Sequence, residues 1–284
     1  MNRLDTKKRS LIVRLLVEGM SVNSTVRTTG ISKPTILKLL RELGEACENF
    51  QRGELVNLTP RLVEADEVWS FCHCNEKNIP KERIGEFGVG DIWTWSAMDA
   101  ESKLIFSWHV GMRTADDAQG FLLDIAGRVQ GRFQLTTDGF GAYSKAVIGA
   151  FGVDGIDYAM LVKQYGNDFE GEKRYSPAVC TGCEKKVKMG DPDMKHVSTS
   201  FVERTNLTLR MGNRRFTRLT NAHSKKIENH EACIALHLMY YNFGRSHETL
   251  TKAAGKVKTT PAMASGVADH VWSIEEIVGL LGDN

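Results

Sequence analysis

Leu62-Val63-Glu64-Ala65-Asp66-Glu67-Val68-Trp69-Ser70-Phe71 reads as a β-strand with two adjacent acids at its middle. Val63, Ala65, Val68 and Trp69 give it the apolar, β-favouring bulk that a sheet packs around. Alternation along a strand sets Asp66 and Glu67 on opposite faces. A charge inside such a strand is costly unless it is paired or holds a metal, which makes Asp66 the first candidate functional residue.

Downstream, residues 92–98 and 104–110 read as two strands joined by the turn Asp99-Ala100-Glu101-Ser102, a hairpin signal. Residues 115–130 carry Phe121, Leu122, Ile125 and Val129 at helical spacing. Residues 133–137 form a fourth strand that runs into Asp138. A helix over 139–148 and a fifth strand over 158–162 follow. Residues 163–200 are polar and rich in Gly and Lys, and read as a long loop of the functional or disordered kind. Helices are expected over 199–211, 230–241 and 273–281. Three strands, helix, strand, helix, strand and closing helix is the order of an α/β ribonuclease-H-like catalytic domain, a mixed sheet with helices on its faces.

Upstream, residues 6–44 read as an all-α helix-turn-helix unit. Leu11, Ile12, Leu15 and Leu16 mark the first helix and Gly19 its end. Ser21 can cap the second helix; Gly30 sits in the turn after it. Ser32 can cap the third, with Pro34 in its first turn. That third helix would enter the major groove with Lys33, Thr35, Lys38 and Arg41 exposed. A plain three-helix bundle is the bland alternative. Residues 45–60 lack periodicity and read as a linker. The expected division is a helix-turn-helix domain over 1–50, a catalytic domain over 51–250 and a C-terminal extension with a short helix over 251–284.

Charge is distributed unevenly. The net charge is +2, but residues 1–44 carry +6, 45–199 carry −7, 200–260 carry +7 and 261–284 carry −4. Basic blocks suit phosphate contacts and an acidic middle suits cations. No apolar run approaches the ~18 residues of a membrane span, and the stretch 11–17 is too short for a signal-peptide core. The expected location is the cytoplasm, at the nucleoid. The six cysteines are then expected to be reduced.

Two more acids complete the chemistry. Asp138 ends the fourth strand in Thr137-Asp138-Gly139-Phe140, and carboxyl ends of parallel strands are where sites form in such sheets. Glu203 lies in the helix after the long loop. An acid at a strand end is commonly a turn former, and one early in a helix commonly complements the dipole. Together, Asp66, Asp138 and Glu203 would hold two Mg²⁺ ions through oxygen and support in-line phosphoryl displacement. Asp99 is the alternative ligand, though its turn position already accounts for it.

These blocks resemble the insertion-sequence-one family of DDE transposases. Asp66-Glu67-Val68-Trp69-Ser70-Phe71 is similar to the family's Asp-Glu-aromatic block, and Thr137-Asp138-Gly139-Phe140 with Tyr143 to its Thr-Asp-Gly-Trp block. Glu203-Arg204-Thr205-Asn206-Leu207-Thr208-Leu209-Arg210 is similar to its Glu-Arg-x-Asn-Leu-x-Leu-Arg block. The likeness covers residues 7 to about 250, including Lys33-Pro34-Thr35-Ile36-Leu37 and the basic residues 216–226. It implies a DNA transposase that cuts and joins the ends of a mobile element with Mg²⁺, or Mn²⁺ in its place. It also implies binding to terminal inverted repeats and target DNA as a homodimer or larger synaptic complex. Arg210 takes the family's basic position seven residues after the catalytic Glu, and Arg204, Arg214 and Arg215 become candidate DNA contacts. No Cys precedes Cys47, so the Cys-rich zinc module that many members carry before the helix-turn-helix is not expected, and the chain resembles the fused single-frame form. Two readings compete: a DNA-binding repressor without catalysis, and a ribonuclease-H-like nuclease that cleaves but does not join. Cys180-x-x-Cys183 is half a zinc site; reduced cysteines are the simpler reading.

Overall fold

The computed structural model describes residues 4–166, 180–217 and 220–282. Three helices, α1 (Thr6–Val17), α2 (Val22–Thr29) and α3 (Lys33–Glu54), precede β1 (Leu62–Cys72), β2 (Gly90–Asp99) and β3 (Ile105–Gly111). Then come α4 (Ala115–Arg128), β4 (Gln134–Asp138), α5 (Ala142–Phe151), β5 (Asp157–Tyr165) and β6 (Cys180–Met189). Among the described residues α6 (Ser200–Gly212), α7 (Ile227–Met239), α8 (Glu248–Ala253), α9 (Pro261–Ala264) and α10 (Ile274–Gly279) follow.

α2 and α3 start on the expected caps, and α1 is capped by Asp5. The Lys8 N–H donates to Asp5, that of Ser24 to Ser21 and that of Thr35 to Ser32. Each bond satisfies a donor that a first helical turn leaves without an intrahelical acceptor. Gly19 (φ +83°) and Gly30 (φ +69°) take the left-handed conformation at the two turns, where a Cβ would be strained.

α3 departs from expectation. It runs for 22 residues, straight through the stretch 45–54 read as linker. Its buried stripe continues as Leu43, Gly44, Cys47 and Gln51, a helical spacing written in weakly apolar residues that a hydrophobicity reading passes over. Gly44 is required by close packing on α7: a Cβ would come within 2.5 Å of the Ala232 Cα. Buried Gln51 donates from Nε2 to the Ala235 carbonyl at 3.2 Å and accepts from Asn242 Nδ2 at 3.3 Å.

The strands form one six-stranded sheet in the order β3-β2-β1-β4-β5-β6. β1 pairs parallel with β4, and β4 with β5; the other pairs are antiparallel. The parallel pairs are those whose connections contain helices, as crossovers require. The result is a mixed sheet with helices around it, in the expected element order but with one further strand, β6, before the closing helix. Asp99 accepts from the backbone N–H groups of Glu101 (3.1 Å) and Ser102 (3.2 Å), so it serves the hairpin turn.

β6 corrects the reading of 163–200 as loop. β5 runs on to Tyr165, and residues 180–189 form an edge strand with mostly exposed side chains, so no apolar alternation betrays it. Residues 167–179 of that predicted loop lie outside the described residues.

Alternation along β1 divides the core. Val63 and Ala65 join Trp95, Phe121, Leu135 and Tyr143 on the side of α4 and α5. Val68 joins Met98, Leu209, Ile234 and Leu238 on the side of α6 and α7. Tyr241 and Phe243 are buried as expected, while Tyr240 is half-buried and donates to Glu18 Oε1 at 3.1 Å.

Candidate metal centre and nucleic-acid interface

The length of β4 makes the site. β4 stops at Asp138, and its pairing with β1 ends at Ala65 opposite Thr137. β1 and β5 both continue, which leaves a crevice between them at the carboxyl end of β4. Asp66 is the next residue of β1 at this level, and oxygens of Asp66, Glu67 and Asp138 lie within 4.8 Å of one another.

Glu67 was expected apart from Asp66, on the opposite face. Its stem does follow alternation: the carboxylate accepts from Tyr143 Oη of α5 at 3.0 Å and from Arg113 Nε at 2.7 Å. With β4 ended, no strand separates the two faces here, so the Glu67 carboxylate still reaches Asp66 and Asp138. Arg113 also lies 3.6 Å from Asp138 Oδ2, its guanidinium over the rings of Trp93 and Phe140 at 4.9 and 4.3 Å.

α6 is docked onto β1 at two points that bracket Glu203. Buried Glu64 accepts the backbone N–H groups of Phe201 (2.8 Å) and Val202 (3.0 Å), so a strand carboxylate caps the first turn of the helix. Asn206, one turn beyond Glu203, donates from Nδ2 to Asp66 Oδ2 at 2.8 Å. Glu203 itself is paired with Lys163 of β5 and accepts from the Thr199 hydroxyl. It stands outside the 4.8 Å group but close enough for its charge to act on Asp66. Arg210 is half-buried further along the same helix.

Electrostatics mark the crevice as cation-deficient. Burial pushes the Asp66 carboxyl up to about 8, reinforced by Glu67, Asp138 and Glu203. Burial likewise raises Glu64, to about 6. Glu67 is raised by burial and by Asp138, against the opposing pull of Arg113. Four crowded carboxylates thus face Arg113 and Lys163. An all-oxygen donor set with excess negative charge fits a hard divalent cation such as Mg²⁺ or Mn²⁺.

The candidate DNA contacts fall into three places. Lys33, Thr35, Lys38 and Arg41 are all exposed on α3; Lys38 pairs with Glu42 at 3.7 Å, and Arg41 donates to Asn229 Oδ1 at 3.4 Å. Lys33 also lines a cavity of about 310 Å³ with Arg214, Arg215, Lys225 and Lys226, and among the described residues that line it there is no Asp or Glu. Arg204 points elsewhere, into a cavity shared with Lys103, Arg245 and His247. The sequence reading missed Glu64, Arg113, Lys163 and Asn206. Only Asn206 carried a signal, as part of the third block.

No helix among the described residues is long and apolar enough to cross a membrane. No protein-family model matches the chain, and no curated protein matches it. Among solved structures, the chain is similar to piggyBac transposase in a synaptic complex with hairpin DNA, at 12% sequence identity and a TM-score of 0.38, over 97% of this chain and 72% of that one.

Proposed function

We propose that the chain is a DDE-type DNA transposase whose divalent-metal site is built from Asp66, Asp138 and Glu203. The observation that carries this reading is the meeting of Asp66 and Asp138 at the open end of β4, beside a helix that is tied to β1 on either side of Glu203 and brings its charge to bear on Asp66. Bound there, two divalent ions would supply activation of a water or 3′-hydroxyl nucleophile and charge stabilisation at the phosphate. Glu67 already has Arg113 and Tyr143 as partners, so its part is to hold Arg113 beside Asp138. Lys163 occupies the Glu203 carboxylate and must release it for Glu203 to join the other two. Arg210 would bear on the transferred phosphate.

The N-terminal helices would bind the terminal inverted repeats through Lys33, Thr35, Lys38 and Arg41. The basic cavity where Lys33 meets Arg214, Arg215, Lys225 and Lys226 would carry the same duplex towards the catalytic crevice. Two element ends require a dimer or larger assembly. The test is a strand-transfer assay with Mg²⁺ on DNA bearing the ends of the element that encodes the chain. Wild type should cleave and join, while Asp66→Asn, Asp138→Asn and Glu203→Gln should do neither and still bind DNA. Cleavage without joining would favour the nuclease; binding without either reaction would favour the repressor.

A further inference from the structure

Cys180 and Cys183 are both exposed, and their sulfurs lie 3.8 Å apart. Residues three apart on a regular strand point to opposite faces. The reason these two meet is a break in register: Gln164 pairs with Gly182 but Tyr165 pairs with Cys180, which leaves Thr181 as an extra residue. Such a bulge turns successive side chains towards one side of the strand and bends it. Cys183 is also the cross-strand partner of Lys163, the residue whose ammonium holds Glu203. Among the described residues no third Cys, His, Asp or Glu groups with the two thiols as a metal ligand would.

We propose that Cys180 and Cys183 form a reversible dithiol–disulfide pair across the β6 bulge, and that its closure restrains the acidic site through Lys163. The chemistry is exchange with a small-molecule disulfide such as oxidised glutathione. One thiolate attacks the small disulfide, forming a mixed disulfide and releasing one thiolate. The second protein thiolate attacks the protein sulfur of that mixed disulfide and releases the other. The two protons lost by the cysteines go to the two released thiolates; the protein pair is oxidised and the small disulfide is reduced. The closed ring stiffens the strand directly opposite Lys163 and favours the Lys163–Glu203 pairing that keeps Glu203 from Asp66 and Asp138.

The test uses the full chain incubated with oxidised glutathione, quenched with acid, alkylated and mapped by mass spectrometry. Wild type should lose two hydrogens and both alkylation sites at Cys180 and Cys183, reversibly with dithiothreitol. Cys180→Ser and Cys183→Ser should each stop at one glutathione adduct on the remaining thiol. Two adducts on wild type, or full alkylation of both thiols throughout, would overturn the pair. The regulatory half rests on the transposase reading and is read as the single-turnover cleavage rate. The oxidised wild type should be several-fold slower than the reduced form, and the rate of Cys183→Ser should be the same with and without glutathione. Equal rates in a protein shown to be oxidised would overturn that half. Absence of cleavage in the reduced form as well would instead count against the transposase reading and leave the mass result standing.

Discussion

The Asn206 carboxamide donates to the Asp66 carboxylate at 2.8 Å and so joins α6 to β1 one helical turn from Glu203. Nothing else about Asn206 requires an amide, since it sits on a helix face where an apolar residue would pack. Groups that orient metal ligands typically contribute 10–100-fold to activity or metal affinity. Asn206→Ala should therefore lower single-turnover cleavage by roughly 10–100-fold, measured where its far-ultraviolet dichroism spectrum shows the variant fully folded. A cleavage rate equal to wild type would remove Asn206 from the positioning role.

Glu64 makes a separate prediction about stability. It is a buried carboxylate with two backbone N–H groups of α6 as partners. Removing an acceptor while its donors stay buried costs about 1–3 kcal/mol. Glu64→Leu should destabilise the fold by about that amount in denaturant unfolding, and should also reduce activity by loosening the start of α6. Unchanged stability would mean that the first turn of α6 is docked by other contacts.

The carboxylate cluster should respond to divalent ions in a characteristic way. In chelator, four acids repel one another across the crevice and Asp66 is held unfavourably charged or protonated. Asp66→Asn relieves that repulsion and keeps an acceptor for Asn206, so it should raise the Tm measured in chelator. A ligand that binds only the folded state stabilises it by mass action, so Mn²⁺ should raise the Tm of wild type and leave that of Asp66→Asn and Asp138→Asn nearly unmoved. Equal Mn²⁺ shifts in all three proteins would place the ion elsewhere.

His230 should make the protein sensitive to mild acid. It is buried between Ser70 and Ser224, whose hydroxyls lie 3.1 and 3.0 Å from its ring nitrogens, with the Phe216 ring 5.1 Å away. Burial, with Arg215 adding to it, lowers its pKa to about 3. Between that value and the ordinary histidine value the unfolded chain takes up a proton that the folded chain refuses. The stability this neutral histidine supports is thus complete above about pH 6.5 and is lost as pH falls towards 3, at up to about 1.4 kcal/mol per pH unit. The stability advantage of wild type over His230→Gln in denaturant should narrow between pH 7 and 5. Comparing the two proteins cancels the opposing contribution of Asp66 and Glu64. A constant gap would show that His230 titrates normally.

What the sequence disclosed, and what it hid, follows the kind of signal each residue carries. Caps and left-handed glycines act locally, so Ser21, Gly30 and Ser32 placed both ends of α2 and the start of α3. Alternation set Asp66 and Glu67 on opposite faces, which are those of α6 and α5. It could not say that β4 would end at Asp138 and let the two carboxylates meet. The tail of α3 was hidden because Phe50, which packs on Phe243 and Trp272, is its one large apolar residue there, beside a glycine against a helix backbone, a buried cysteine and a buried glutamine. β6 was hidden because an exposed edge strand of Lys, Cys and Gly has no apolar period. Lys163, Arg113 and Glu64 sit in no motif that singles them out; only the register of the sheet and the approach of α6 bring them to the crevice.

The central claim is that Asp66, Asp138 and Glu203 share divalent ions. Anomalous scattering from a crystal of the chain soaked in Mn²⁺ tests it most directly. If the three acids share the ions, density lies in the crevice at coordination distance from Asp66 and Asp138, with Glu203 swung away from Lys163 to join them. Density held by Asp66, Glu67 and Asp138 with Glu203 still on Lys163, or no density in the crevice at saturating Mn²⁺, would contradict it.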